Sequence, residues 1–190
     1  MEQKTKKLVG IGLLTAIVVV LQVVAVVFRP TGFFNISLVL VPIVVGAALY
    51  GYKAGAWLGF VFSVVVLFTD SAAFMVVNVP GTIATVLVKG TMAGLVAGLV
   101  YLALQKTKRL VAVIAAAIAC PIVNTGLFLV GCYLFFMDTI NGWAAAAGFP
   151  SAGNYLIFGM IGVNFLIEMG VNIVLSSTIV KIINIGKKGN

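Results

Sequence analysis

The sequence of 190 residues contains no histidine, two cysteines and four acidic residues. Histidine is the commonest metal ligand and general base, so its absence removes the usual basis of a zinc site or a hydrolytic centre. Cys120 and Cys132 are separated by about 18 Å along a helix, which is too far for a disulfide. These absences predict no metal, no cofactor and no disulfide.

Motifs for ATP hydrolysis and intramembrane proteolysis are absent as well. No G-x-x-x-x-G-K-[ST] loop occurs. Asp70 and Asp138 fall in predicted connecting segments, so they do not form an aspartyl pair within a span. An enzyme with Glu168 as base and Lys89 as acid is the remaining formal possibility. We therefore expect a binding or transport protein and not an enzyme.

Charge is scarce, at 8% of residues, whereas hydrophobic residues make up 63%. Soluble domains have roughly 25% charged residues, and a bilayer core of ~30 Å needs about 20 helical residues to cross it. The sequence predicts an all-α integral membrane protein, one bundle of six transmembrane helices within the lipid bilayer. Its predicted spans are residues 8–28, 36–50, 54–69, 81–104, 110–137 and 155–183.

The net charge of +8 is explained by where the basic residues fall. With six spans, ten of the twelve lie on one side of the membrane: Lys4, Lys6, Lys7, Lys53, Lys106, Lys108, Arg109, Lys181, Lys187 and Lys188. An excess of Lys and Arg marks the cytoplasmic side, so both termini are expected to be cytoplasmic (N-in/C-in) in the cell membrane. Aromatic stacking platforms do not accompany the charge, and no nucleic-acid partner is expected.

Small residues recur every four positions in three predicted spans, a spacing that lets helix backbones approach closely. Gly51, Gly55 and Gly59 lead into the third span, and Gly90, Gly94 and Gly98 lie in the fourth. In both we expect packing within the chain.

The first span carries Gly12 and Ala16 at the same spacing. For this pair, packing within the chain and docking on another membrane subunit both remain open.

Polar residues inside the spans are few, and each costs a few kcal/mol to insert, so they mark ligand sites or helix contacts. Lys89 shares one helical face with Thr82 and Thr85. Asn124 lies just after Pro121, which we expect to break the hydrogen-bond ladder of the fifth span.

The sixth span carries a polar ridge of Asn164, Glu168, Asn172 and Ser176, each four residues apart. Two interpretations stay open. Lys89 and Glu168 could form a buried ion pair that fastens two spans together, or they could hold a small polar ligand with the amides. The two are compatible, because a pair that opens to hold a ligand leaves no uncompensated charge in the empty site.

Three connecting segments are expected to lie on the outer side: Arg29–Asn35, Asp70–Pro80 and Asp138–Asn154. The two longer segments are predicted as loops that could gate an outward pocket. Trp143, in the last of them, suits either a gate or an anchor at the membrane interface.

Several segments resemble the substrate-binding S components of energy-coupling factor (ECF) transporters: GLLTAIVVVLQ, FNISLVLVPIVVGAALYGYKAGAWLGFVFSVV, the glycine-rich fourth span and VNFLIEMGVN. The resemblance covers essentially the whole chain. It implies a protein that captures a vitamin at its outer face and delivers it inward with a membrane coupling protein and two ATPase subunits. Gly12 and Ala16 match the spacing of the family's A-x-x-x-A docking motif, and residues 29–37 resemble its gating segment.

The resemblance leaves the vitamin open. Flavin-binding members have asparagines that would correspond to Asn124 and Asn164, but their acidic residue and lysine are replaced here by Ser37/Leu38 and Glu168. Lys89 would suit a ligand with a carboxylate, such as pantothenate or folate, unless Glu168 neutralises it first.

We therefore expect a substrate-capture subunit for a B-vitamin-like small molecule of the riboflavin, pantothenate or folate class. The expected substrate contacts are Lys89, Asn124, Asn164, Glu168 and Asn172, with Asn78 and Arg29 near the mouth. An autonomous ion-coupled transporter or channel, with Glu168 as its proton relay, is one alternative. A membrane subunit that transports nothing is the other.

Overall fold

A computed structural model describes residues 2–27 and 38–188, without the side chains of residues 2, 163, 164 and 186–188. The described chain is helical. Its elements are α1 (Glu2–Val27), α2 (Leu40–Tyr50), α3 (Tyr52–Thr69), α4 (Ala72–Met75), α5 (Val79–Leu104), α6 (Arg109–Phe135), α7 (Met137–Ala146), α8 (Ala152–Asn154), a π-helix (Tyr155–Ile161) and α9 (Gly162–Lys188).

Within the described ranges, five helical segments are long and apolar enough to cross a membrane. They are Gln3–Val27, Tyr52–Thr69, Val79–Leu104, Arg109–Phe135 and Phe165–Ile185. This architecture supports the predicted multi-pass all-α membrane protein. The predicted second span is represented by α2, whose 11 residues extend only about 16 Å. Six spans and the N-in/C-in orientation therefore stay predictions.

The short helix α2 occupies the centre of the core. Eight of its residues are buried, among them Leu40, Ile43 and Val44, and it packs against α1, α3, α5, α6 and α9. A helix that is apolar on every side is stable only when other helices surround it. Its connection to α3 is the single residue Gly51, whose φ of +93° lies in the region that favours glycine.

The predicted glycine faces of the third and fourth spans meet as expected. A methyl group on Gly55 would overlap the carbonyl oxygen of Gly94, and one on Gly59 would overlap that of Gly90. Only glycine permits backbones this close. The contact faces of these two spans are therefore confirmed as packing between α3 and α5. The prediction is wrong for Gly51, because no described atom lies within 4 Å of a methyl group there.

Two predicted features are wrong. The segment Asp70–Pro80 contains α4, and Asp138–Asn154 contains most of α7 and all of α8, so neither is simply a loop. The sixth predicted span begins as a π-helix instead of an α-helix. The fifth span stays helical through the buried Pro121, although proline has no N–H and so leaves one rung of the hydrogen-bond ladder unmade, as predicted. Surrounding helices can accommodate the carbonyl that a proline frees.

Candidate functional site

A cavity of about 270 Å³ lies among α3, α5, α6, the π-helix and α9. It is near the end of the bundle where α4 and α7 connect the long helices. The polar side of its lining consists of Asp70, Ser71, Lys89, Asn124, Thr125 and Glu168. The apolar side consists of Val66, Phe74, Val86, Phe128, Met160, Ile161 and Phe165. Three of the predicted substrate-binding residues thus come together from three different helices.

Lys89 is held in the cavity wall by its neighbours. Its Nζ atom lies 5.0 Å from the centroid of the Phe128 ring, a cation–π distance that favours an ammonium in apolar surroundings. Asp70 and Glu168 line the same cavity as Lys89. The cavity thus brings the fourth and sixth spans together at these residues. An ion pair between Lys89 and Glu168, and a ligand held by them, both stay predictions.

Asn124 presents an unused hydrogen-bond acceptor. Its side chain lines the cavity, and its buried Oδ1 atom has no hydrogen-bond partner among the described residues. A buried polar atom without a partner costs about 1–3 kcal/mol. A ligand that donates an N–H or O–H group here would remove that cost.

The polar ridge of α9 continues inward from Glu168. Asn172 donates from its side-chain Nδ2 to the backbone oxygen of Glu168 at 3.0 Å, and Ser176 donates to the backbone oxygen of Asn172 at 2.9 Å. Asn172 is only 1% exposed and lies outside the cavity lining that the structure describes. Its described contact is with the helix backbone.

Asn78 lies at the start of α5, away from the cavity lining described above. Its Oδ1 accepts a hydrogen bond from the backbone N–H of Gly81 at 2.9 Å, an N-cap that satisfies one of the free donors of the first helical turn. The structure therefore does not bring Asn78 together with Lys89. Arg29 and the side chain of Asn164 lie outside the described residues.

A group of aromatic rings covers the cavity. Phe74 of α4 packs edge-on against Phe128, Phe136 and Trp143, with centroids 5.7, 4.9 and 5.4 Å away. Such edge-to-face pairs add stability beyond the area that they bury. Phe74 and Met160 also line a second, mainly apolar cavity of about 500 Å³ beside Trp143. These two side chains therefore separate the cavities.

Several cavity residues were missed by sequence reasoning, although a signal for two of them existed. Phe128 lies four residues after Asn124, and Phe165 three residues before Glu168, so each shares a helical face with a predicted residue. Asp70 gives no such signal, because it lies in a predicted connecting segment outside the spans.

Gly12 and Ala16 are exposed on α1. No described atom lies within 4 Å of the position that a methyl group on Gly12 would take. Between them, Thr15 faces the bundle and accepts a hydrogen bond from Trp57 Nε1 at 3.2 Å. This small-residue pair is therefore not used for packing by the part of the chain that the structure describes.

A family model described as "ECF transporter, substrate-specific component" matches residues 6–180. No curated protein and no solved structure matches the chain. The family match covers most of the sequence, including every residue that lines the cavity. The chain therefore belongs to the substrate-specific components of ECF transporters, which are membrane proteins that bind a transported substrate and not enzymes.

Proposed function

We propose that the cavity beside Lys89, Asn124 and Glu168 captures a B vitamin or a related small molecule. The unpartnered Oδ1 of Asn124 in the cavity wall is the observation that carries the proposal. A few polar groups set in an otherwise apolar wall are the usual construction of a small-molecule site. Riboflavin, pantothenate and folate are the substrate classes that the sequence favours.

The proposed orientation places the cavity on the outer side of the cell membrane. The basic residues outside the spans, such as Lys53 and Lys106, mark the opposite end as cytoplasmic. In this arrangement the predicted span 36–50 is the second of six, and both termini are cytoplasmic. Substrate therefore enters from the side where α4 and α7 lie.

Import is proposed to need a membrane coupling protein and two ATPase subunits. The chain has no P-loop of its own. The exposed pair Gly12 and Ala16 on α1 is the proposed docking face, because small residues let a partner helix approach closely.

Proteoliposomes test this function directly. We expect the purified chain alone to bind a labelled vitamin without concentrating it inside the vesicle. Adding the coupling protein and ATPase subunits with ATP should give sustained uptake. Concentrative uptake by the isolated chain, driven by an ion gradient, would contradict the proposal and favour an autonomous transporter.

A further inference from the structure

The apolar second cavity adjoins the candidate site. It lies among α4, α7 and the π-helix, and its described lining carries no charged side chain. The lining includes the rings of Phe74, Trp143 and Tyr155 and the methyl group of Ala146. Phe74 and Met160 line both cavities. The polar and the apolar cavity therefore meet at these two side chains.

The π-helix (Tyr155–Ile161) brings two of its side chains to the second cavity. In an α-helix, residues five apart point in directions about 140° apart. In a π-helix the backbone hydrogen bonds join residues five apart, so their side chains lie one above the other. Tyr155 and Met160 are such a pair, and both line the second cavity. Since π-helical turns are rare and frequently occur at functional sites, this backbone indicates that the second cavity has a function.

Met160 is the movable part of the boundary between the cavities. Its side chain is partly buried, unbranched and rotatable about three bonds, so it adapts easily to a neighbouring group. Phe74, by contrast, packs edge-on against three other rings. A rotation of Met160 would connect the cavities without moving a helix.

The two cavities together suit a molecule with two different parts. Ligand sites usually combine a few polar groups, which fix orientation, with apolar and aromatic walls. Here Asn124 belongs to the first cavity, and the rings of Trp143 and Tyr155 belong to the second. Riboflavin and folate carry aromatic rings beside their polar groups, and pantothenate carries two methyl groups on one carbon. Each of these substrate classes therefore has a part for either cavity.

We infer, on the basis of the proposed function, that the second cavity is a binding subsite for the aromatic or methylated part of the substrate. The polar part is held at Asn124, and the apolar part passes Met160 to lie against Trp143 and Tyr155. Residues of α7 and the π-helix thus determine which apolar group is accepted.

Filling the second cavity tests this subsite. Ala146 is the exposed last residue of α7 and lines the cavity, and leucine suits a helix nearly as well as alanine. Affinities for riboflavin, pantothenate and folate are measured with Ala146→Leu and the unaltered protein. We expect Ala146→Leu to weaken the tightest of these interactions at least about tenfold, because an apolar group loses its buried position. Ala145→Leu is the matched control, since Ala145 is exposed on the same helix outside the described lining, and it should change affinity by less than about twofold.

A second readout reports occupancy without filling the cavity. Cys120 and Cys132 are buried, so a maleimide reagent should modify the exposed thiol of Ala146→Cys first. The tightest-binding vitamin, at about ten times its Kd, should slow this modification about tenfold because most sites are occupied. Modification of the control Ala145→Cys should keep its rate.

The outcomes separate the subsite from the proposed function. Weaker binding confined to Ala146→Leu, with protection confined to Ala146→Cys, supports the inference. Unchanged affinity in Ala146→Leu, an equal loss in Ala145→Leu, or no protection of Ala146→Cys overturns it while the proposed function stands, and the cavity is then left to an acyl chain of the lipid. Absence of vitamin binding by the folded, unaltered protein counts against both. If gel filtration shows that Ala146→Leu does not fold, the protection of Ala146→Cys decides.

Discussion

Two parts of α5 have different surroundings, because one lines a cavity and the other is packed tightly against α3. At Val86 and Lys89 the helix lines a cavity with polar groups from α6 and α9. From Gly90 onward it lies backbone to backbone against α3, and the glycines leave no space for a methyl group. One helix thus combines a rigid attachment with an open site. The difference indicates that close packing at one end fixes the position of the cavity wall at the other.

The largest expected effect comes from disrupting the packed half. Gly59→Leu would push a side chain into the carbonyl of Gly90, and overpacking of this kind costs about 3 kcal/mol. We expect a markedly lower midpoint of thermal unfolding in detergent, together with loss of monodisperse protein. Gly170→Leu is the matched control, because no described atom lies within 4 Å of a methyl group on this exposed glycine. Equal midpoints for the two variants would show that the α3–α5 contact is not tight.

The second-largest expected effect comes from comparing an asparagine in the cavity wall with one outside it. Asn124→Ala removes a cavity-lining amide and should weaken substrate binding by about tenfold to a hundredfold, with little change in stability. Asn78→Ala removes an N-cap and should lower stability by about 1 kcal/mol while affinity stays the same. Affinity and unfolding are measured on both proteins. A loss of affinity in Asn78→Ala as large as in Asn124→Ala would place the site elsewhere.

A third prediction compares two uses of small residues. Gly59 is enclosed by α5, whereas no described atom approaches a methyl group on Gly12. Gly12→Leu should therefore leave folding and substrate affinity unchanged, but it should slow import by the reconstituted complex at least tenfold if a coupling helix docks there. Unchanged import would remove Gly12 and Ala16 from the proposed docking face.

The smallest expected effect comes from removing the hydrogen bond that joins α1 to α3. Trp57→Phe keeps an aromatic ring but removes the hydrogen bond to Thr15, which should cost about 0.5–1.5 kcal/mol. Thermal unfolding measures this loss. Thr15→Val, which removes the same bond from the other side, should not add to it in the double variant. Full additivity would show that the two side chains do not interact.

The features that could be predicted from the sequence are those with a strong helical period. The facing glycines of α3 and α5, and the ridge from Glu168 to Ser176, follow from residues repeated every four positions. Asn124 and Lys89 stand out because polar groups are rare in apolar spans. Such patterns identify the helix face that packs closely or carries polar groups, and they can be recognised without knowledge of the tertiary structure.

The features that were missed depend on tertiary packing. Helix α4 is only four residues long, and its Phe74 is positioned by rings that are distant in sequence. Asn78 has an amide side chain of the kind that often contacts ligands. In the structure, however, its Oδ1 accepts a hydrogen bond from a backbone N–H at the start of α5. Pro121 remains inside α6 because neighbouring helices surround it. Local sequence patterns contain none of this information.

The central claim is that the solitary chain captures a small molecule at the cavity lined by Asn124. The most direct measurement is equilibrium dialysis of the purified protein and of Asn124→Ala against a mixture of B vitamins, with the retained molecules identified by mass spectrometry. The account predicts that the unaltered protein retains one compound at about one per chain, and that the variant retains at least about tenfold less at limiting concentration. Equal retention by both proteins, or no retention by the unaltered protein, would contradict it.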